Sequence, residues 1–229
     1  MLRTIGRRDG QRRSWAPVAS GLALTCGLSL FGDTPDTRDP TAVVAGYFVT
    51  HRTTIFAGVA VTGAALMAFL WSIAATGERL ARDRPPAGRF AVGTATVFAT
   101  LVLATMLVPY AALSYSLAVR SPALAADLFQ VTLVMAPIIA APLAALMLTV
   151  GIAGRARTTT TWFAVASLVG GASLIVSTGA FAARGPMSPD VQQQIVFGIT
   201  TLWLFAMPFG TPARDADLGT TPHAGGAIT

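Results

Sequence analysis

"FAVGTATVFATLVLATMLVPYAALSYSLA", residues 90–118, contains no charged side chain and decides the class of fold. A helix needs about 20 predominantly apolar residues to cross a hydrocarbon core about 30 Å thick, and this run is longer than that. Backbone N–H and C=O groups find no partner in hydrocarbon, so such a run has to be helical. The stretch therefore predicts a transmembrane helix.

The composition of the whole chain agrees with a membrane location. Of its 229 residues, 53% are hydrophobic and only 11% are charged, whereas a soluble domain carries about 25% charged residues. The same apolar content excludes a disordered chain. The formal net charge is +6 and every basic residue is arginine. Because the arginines lie in short clusters between apolar runs, we expect no nucleic-acid partner.

Five further apolar runs accompany this one and predict an all-α polytopic transmembrane bundle of about six spanning helices. The six runs cover residues 15–32, 53–76, 90–118, 128–152, 162–183 and 191–210. Residues 1–14 form a basic arm, residues 15–210 the membrane domain, and residues 211–229 a tail of flexible composition. The first run is longer than the apolar region of a secretory signal, and no A-x-A-like cleavage site follows it, so we expect it to be retained.

The arginines also predict the orientation of the bundle. Loops on the cytoplasmic side carry an excess of basic residues. With six crossings, twelve arginines fall on the side of the two termini and four on the opposite side. The pattern predicts a multi-pass protein of the cell (inner) membrane with cytoplasmic N- and C-termini.

The most polar internal stretch is "DTPDTRDPTAVVAGYFVTHRTT", residues 33–54. One interpretation is a small site on the outer face, built from Asp36, Asp39, His51 and Arg52. The alternative is structural: Asp39 caps a helix that begins at Pro40 and continues to Thr76, and His51-Arg52 marks the membrane edge. Two other dipeptides predict the same kind of helix start, Ser121-Pro122 and Ser188-Pro189. Aromatic residues suited to an interfacial belt are Tyr47, Tyr110, Tyr115, Trp15, Trp71, Trp162 and Trp203.

The segment "PDTRDPTAVVAGYFVTHRTTIFAG", followed by an apolar span that ends in a tryptophan and by an Arg-rich loop, resembles uncharacterised small multi-span membrane proteins of high-GC Gram-positive bacteria. The resemblance covers residues 33–85 and implies a helical bundle of the six-span type. It implies no activity, cofactor or partner.

Patterns that carry chemistry are absent from the sequence. The middles of the six runs lack Asp, Glu, Lys, Arg and His, which argues against a proton relay. Metal motifs, Walker A and GxGxxG patterns are missing, and the single cysteine, Cys26, allows no paired-cysteine site. We therefore expect no cofactor and no enzymatic activity.

Two features of the apolar runs leave alternatives open. Pro137 and Pro142 predict a bend in the fourth run, which either shapes the bundle or lines a solute pathway. Small residues four apart, such as Ser167 and Gly171, either pack the bundle or join a second copy. The sequence thus favours a structural, regulatory or accessory membrane subunit in contact with lipids. The alternative is a transporter or channel for a neutral or lipophilic solute.

Overall fold

The computed structural model describes residues 15–36, 38–154, 159–179 and 189–210, and within these ranges the chain is helical and contains no strand. This confirms the all-α class. The predicted basic arm (residues 1–14), the tail (211–229), the loop arginines Arg155 and Arg157, and the capping residue Ser188 lie outside the described residues.

Seven helices follow one another along the described part of the chain. They are α1 (Ala16–Ser29), α2 (Thr41–Thr50), α3 (Arg52–Asp83), α4 (Pro85–Arg120), α5 (Pro122–Gly154), α6 (Thr161–Ser177) and α7 (Pro189–Gly210). Two π-helical turns, Leu103–Leu107 and Leu113–Leu117, interrupt α4. They separate its α-helical segments Pro85–Val102, Val108–Ala112 and Ala118–Arg120.

Three of these helices, α3, α4 and α5, are long and apolar enough to cross a membrane, judged over the described residues. Helices α1, α2 and α6 are apolar but shorter. A single residue, Arg84, joins α3 to α4, and another single residue, Ser121, joins α4 to α5. The three long helices therefore form two tight antiparallel hairpins. A membrane-type helical bundle is confirmed at this level, while six crossings stay a prediction.

The helices close into a ring. Helix α1 packs against α3, α3 against α4, α4 against α5, α5 against α7, and α7 against α1. Helix α6 packs on the outside against α5 and α7. The rings of Trp15 and Phe209 lie 6.1 Å apart, and the N–H of Thr160 donates to the carbonyl of Gly210 at 2.7 Å. The start of α1, the start of α6 and the end of α7 thus meet at one end of the bundle.

This end also receives the turn between α3 and α4, because Thr76 near the end of α3 contacts the sulfur of Met207 at 3.8 Å. We call it the arginine end, after the four arginines at positions 79, 82, 84 and 89. The opposite end carries α2 and the turn between α4 and α5, and we call it the α2 end.

The expected continuous helix from Pro40 to Thr76 is wrong. The helix breaks at His51, where φ is −98° and ψ is 17°, and α2 folds across the end of the bundle to pack on α5 and the end of α4. Burial explains the break, because α2 places Val44, Tyr47 and Phe48 in the core. Val43, the neighbour of Val44 in α2, is 50% exposed.

The capping role expected for Asp39 is also wrong. Helix α2 begins at Thr41, its N-cap is Pro40, and no side chain caps it. The Asp39 carboxylate instead accepts a hydrogen bond from the N–H of Asp36 at 2.8 Å. Prolines do stand first in α5 and α7, at Pro122 and Pro189, where a missing N–H costs nothing because it has no helical partner.

Four of the seven aromatic residues chosen for an interfacial belt lie on the surface, and the belt itself stays a prediction. Trp15, Trp71, Trp162 and Tyr115 are exposed on the surface, as residues at a membrane interface would be. Tyr47, Tyr110 and Trp203 are buried in the core. The indole N–H of Trp203 donates to the hydroxyl of Ser167 at 2.9 Å and links α7 to α6.

Glycines set how closely the helices approach. A Cβ added to Gly27 in α1 would lie 2.9 Å from the backbone nitrogen of Thr62, and one added to Gly58 would lie 2.9 Å from the carbonyl oxygen of Gly27. Gly77 and Gly88 play the same part between α3 and α4, because a Cβ on Gly77 would lie 3.1 Å from the oxygen of Gly88. Small residues of this kind allow helix backbones to touch.

The small residues chosen from the sequence pack as expected in one helix but not in another. In α6, Ser167 and Gly171 are buried, and a Cβ on Gly171 would lie 3.1 Å from the carbonyl oxygen of Ala144 in α5. In α3, a Cβ on Gly63 would meet nothing within 4 Å, and the contact with α1 is made by Gly58 and Thr62 instead.

Replacing Gly88 with Ala should destabilise the protein by about 1–3 kcal/mol, because the new methyl group would overpack the contact between α3 and α4. It would lie 2.6 Å from the Cβ and 2.8 Å from the backbone nitrogen of Ala81. The matched control is Gly93→Ala in the same helix, where a Cβ meets nothing within 4 Å. Thermal unfolding in detergent micelles measures both, and equal midpoints for the two variants would contradict the close-contact explanation.

Candidate functional site

Five buried aromatic residues close the α2 end of the bundle, and we call them the aromatic cluster. They are Phe31, Tyr47, Phe48, Tyr110 and Phe129. The ring of Phe48 lies 5.5 Å from that of Tyr110 and 5.6 Å from that of Phe129, both edge to face. Such pairs contribute roughly 0.5–1.5 kcal/mol each beyond their buried area. The cluster joins the loop after α1 to α2, α4 and α5.

The two π turns of α4 lie on either side of Tyr110. The N–H of Val108 donates to Leu103, and the N–H of Ala118 donates to Leu113, each one residue further back than in an α-helix. Pro109 follows the first π turn and has no N–H to donate, which loosens the helix locally. A π turn adds one residue to the helical repeat and so changes the direction of the side chains after it, and Tyr110 follows the first of the two turns.

Tyr47 ties α2 to the loop after α1. Its hydroxyl donates to the carbonyl oxygen of Phe31 at 2.5 Å. Burial raises the pKa of Tyr47 to about 12, so the phenol stays protonated and remains a donor throughout the physiological range. Gly32 comes next in the chain with φ of 64°, a conformation that glycine adopts without steric cost. It turns the chain out of α1 directly after Phe31.

His51 and Arg52 both pack against aromatic rings. The His51 ring lies 5.0 Å from that of Tyr47, and its Nδ1 lies 3.1 Å from the carbonyl oxygen of Tyr47. A carbonyl only accepts, so a hydrogen bond there requires Nδ1–H and leaves Nε2 as the acceptor of the neutral ring. The Arg52 guanidinium lies 5.6 Å from the ring centre of Tyr115 and 5.9 Å from that of Phe56. This geometry allows a cation–π interaction between α3 and α4.

Asp36 and Asp39 hold each other in a turn. The N–H of Asp36 donates to the Asp39 carboxylate, and the N–H of Asp39 donates to the Asp36 carbonyl at 3.1 Å. The four residues chosen from the sequence thus divide into two pairs. The aspartates shape the loop before α2, and His51 and Arg52 anchor its junction with α3.

The second sequence candidate, the bend in α5, lies inside one continuous helix. Helix α5 runs from Pro122 to Gly154 with Pro137 and Pro142 both inside it. Pro137 is buried and Pro142 half-buried. Next to them, Leu133 is 2% exposed and Ala140 fully buried.

A small cleft lies beside this part of α5, between α4 and α7. Its cavity volume is about 10 Å³, which is roughly enough for a single water molecule. Its lining comes from α4, α5 and α7 and consists of Met106, Thr132, Ile139, Gln193, Val196 and Phe197.

The described residues offer no catalytic or metal-binding constellation. They contain no group of three His, Cys, Asp or Glu side chains that could hold a metal ion. Ser114, in the second π turn of α4, is buried and its hydroxyl makes no hydrogen bond among the described residues. No described base is therefore placed to activate it as a nucleophile.

Sequence reasoning missed most of the aromatic cluster. Phe31, Tyr110 and Phe129 each lie inside or beside a long apolar run, where an aromatic side chain gives no separate signal. The only available signal was their position close to the ends of three different runs, which places them at one depth of an antiparallel bundle.

Comparison with known proteins gives no match, neither to a family model nor to a curated protein nor to a solved structure. The resemblance seen over residues 33–85 therefore stays a prediction.

Replacing Tyr47 with Phe should destabilise the protein by about 1–3 kcal/mol, because the buried carbonyl of Phe31 would lose its donor while the ring stays in place. The matched control is Tyr115→Phe, which removes the hydroxyl of an exposed tyrosine. Thermal unfolding monitored by circular dichroism measures both. An unchanged midpoint for Tyr47→Phe would show that this hydrogen bond does not hold α2 in place.

Proposed function

We propose that this chain is a non-enzymatic, multi-pass protein of the cell (inner) membrane that acts as a structural, regulatory or accessory subunit. The observation that carries the proposal is the set of buried apolar side chains in the middle of the described bundle. Leu143, Leu146 and Met147 of α5 are fully buried there. A protein that moves a solute through its centre needs polar groups or free space along a path.

Buried hydroxyl groups in the bundle agree with this interpretation. The hydroxyls of Thr76, Thr132 and Thr200 donate to the carbonyls of Ser72, Leu128 and Val196 in their own helices. When a hydroxyl donates to a carbonyl of its own helix, its hydrogen is already used and is not available to bind a solute. These three hydroxyls thus have their hydrogen bonds satisfied within their own helices.

Six crossings with cytoplasmic termini belong to the same proposal. The described chain begins and ends at the arginine end, as an even number of crossings requires. The exposed apolar side chains of α3, α6 and α7, such as Met67, Val169 and Leu202, suit a lipid environment. The excess of arginines at this end favours a cytoplasmic location.

The second candidate is a transporter or channel for a neutral or lipophilic solute, using the bend at Pro137 and Pro142. The cleft beside Ile139 is the observation in its favour. Its size opposes it, since sites for small molecules usually enclose about 300–1,000 Å³. A solute pathway would need a second conformation in which α4 and α7 lie further apart.

Single cysteines placed along α5 separate the two candidates. In a Cys26→Ser background, cysteines at Leu133 and Ala140 should resist water-soluble thiol reagents, because both positions are buried. Ala123→Cys is the control, since Ala123 is exposed in the first turn of α5. Rapid modification of both buried positions in the folded protein would favour the transporter.

Labelling of intact cells tests the orientation. In the same background, Thr41→Cys at the α2 end should react with a membrane-impermeant reagent added outside. Pro86→Cys at the arginine end should react only after permeabilisation. Both positions are exposed, so a lack of access reports the membrane rather than burial. Reaction of Pro86→Cys in intact cells would overturn the proposed orientation.

A further inference from the structure

The turn between α3 and α4 gathers four arginines on a short piece of chain. Arg82, Arg84 and Arg89 are exposed and Arg79 is half-buried. The connection consists of Arg84 alone, so the end of α3 and the start of α4 are held close together. We call the guanidinium groups of Arg79, Arg82, Arg84 and Arg89 the arginine surface.

The contact between Gly77 and Gly88 brings these arginines together. A Cβ on Gly88 would lie 2.8 Å from the backbone nitrogen of Ala81, and one on Gly77 would lie 3.1 Å from the oxygen of Gly88. With backbones this close, the first turns of α4, which carry Arg89, are packed against the last turns of α3, which carry Arg79 and Arg82. The arginine surface is therefore a feature of the folded hairpin as well as of the sequence.

The charge of this surface is not neutralised within the hairpin. Glu78 and Asp83 are the acidic residues of this segment, so four positive charges face two negative ones. Among the described residues, the four guanidinium groups form no ion pair with these acids. An exposed cluster of unpaired guanidinium groups attracts anions and binds phosphate oxygens through paired N–H donors.

Exposed aromatic residues lie between this surface and the apolar belt. Trp71 is 75% exposed and Phe90 is 55% exposed. Trp71 lies eleven residues before Arg82, about three turns or 16 Å along the same side of α3. Exposed tryptophan is enriched at the boundary between hydrocarbon and headgroups, so the arginines beyond it lie on the water side of that boundary, where basic residues attract anionic headgroups.

We propose that the arginine surface binds the headgroups of anionic phospholipids. The proposal rests on the membrane location proposed above. A zwitterionic lipid carries a positive group that offsets its phosphate, whereas an anionic lipid presents the phosphate charge uncompensated. The surface therefore distinguishes anionic from zwitterionic lipids, and the lipid bridges α3 and α4 at their turn.

The test is a lipid titration of the purified full chain in neutral detergent micelles, with thermal unfolding as the readout. Phosphatidylglycerol should raise the unfolding midpoint at lower concentrations than phosphatidylcholine. Each Arg→Gln substitution should weaken the phosphatidylglycerol effect by about fivefold. Higher NaCl concentrations should weaken it as well, because exposed charges are screened.

Matched variants separate the surface from general charge effects. Arg52→Gln with Arg120→Gln removes two arginines from the α2 end and should leave the preference for phosphatidylglycerol unchanged. Arg→Lys at the four positions keeps the charge and should retain most of the preference. Asp83→Asn should increase the affinity, a result that a merely unfolded or damaged hairpin would not give.

Three outcomes would overturn the proposal. Equal midpoint shifts with the two lipids would mean that no anionic-lipid site exists. An unchanged preference in the four-fold Arg→Gln variant would place the site elsewhere on the chain. The same shift with inorganic phosphate would make the surface an anion site without a role for lipid. A chain that stays in solution without detergent would contradict the membrane location itself, independently of these results.

Discussion

The close approach of helix backbones at glycines is the contact on which the rest of this structure depends. Between helices in lipid the hydrophobic effect contributes little, because hydrocarbon is as apolar as the side chains, and packing has to hold the bundle together. Gly27 meets Thr62 between α1 and α3, Gly77 meets Gly88 between α3 and α4, and Gly171 meets Ala144 between α6 and α5. Where the backbones touch, neighbouring side chains from both helices also pack, and dispersion contacts add up.

The polar segment before α3, residues 33–51, contributes to the packing of the bundle at the α2 end. Asp36 and Asp39 close a turn, Gly32 redirects the chain, and α2 then folds over the end of the bundle. Its aromatic side chains complete a cluster with residues from α4 and α5, and the Tyr47 hydroxyl fixes the loop after α1. This polar stretch therefore packs over one end of the bundle and fixes the chain between α1 and α3.

The two ends of the bundle differ in a way that bears on function. The α2 end is covered by buried aromatic side chains, and its His51 and Arg52 pack on rings. The arginine end presents exposed guanidinium groups on a tight turn, together with exposed Trp71 and Phe90 on the same two helices. If the proposed function holds, these two surfaces are the ones that differ most in what they offer to lipids or to other membrane proteins.

Local sequence is enough to predict the helical class, the positions of the apolar helices and the absence of charge from their middles. These follow from one local requirement, since each apolar run has to satisfy its own backbone hydrogen bonds as a helix. Prolines at the starts of α5 and α7 were readable for the same reason, because the first turn of a helix does not use their missing N–H. The hydrogen bond of Asp39 and the helix break at His51 could not be predicted from local sequence.

Packing between helices is the reason that the helix breaks at His51, that Asp39 bonds to Asp36, and that Tyr47 and Tyr110 lie in the core. Packing also selects the small residues that make contacts, with Gly58 and Thr62 used in α3 while Gly63 faces open space. These choices depend on which face of each helix meets a neighbour. A run that is apolar on all sides carries no periodic signal for its buried face, so the partners alone determine it.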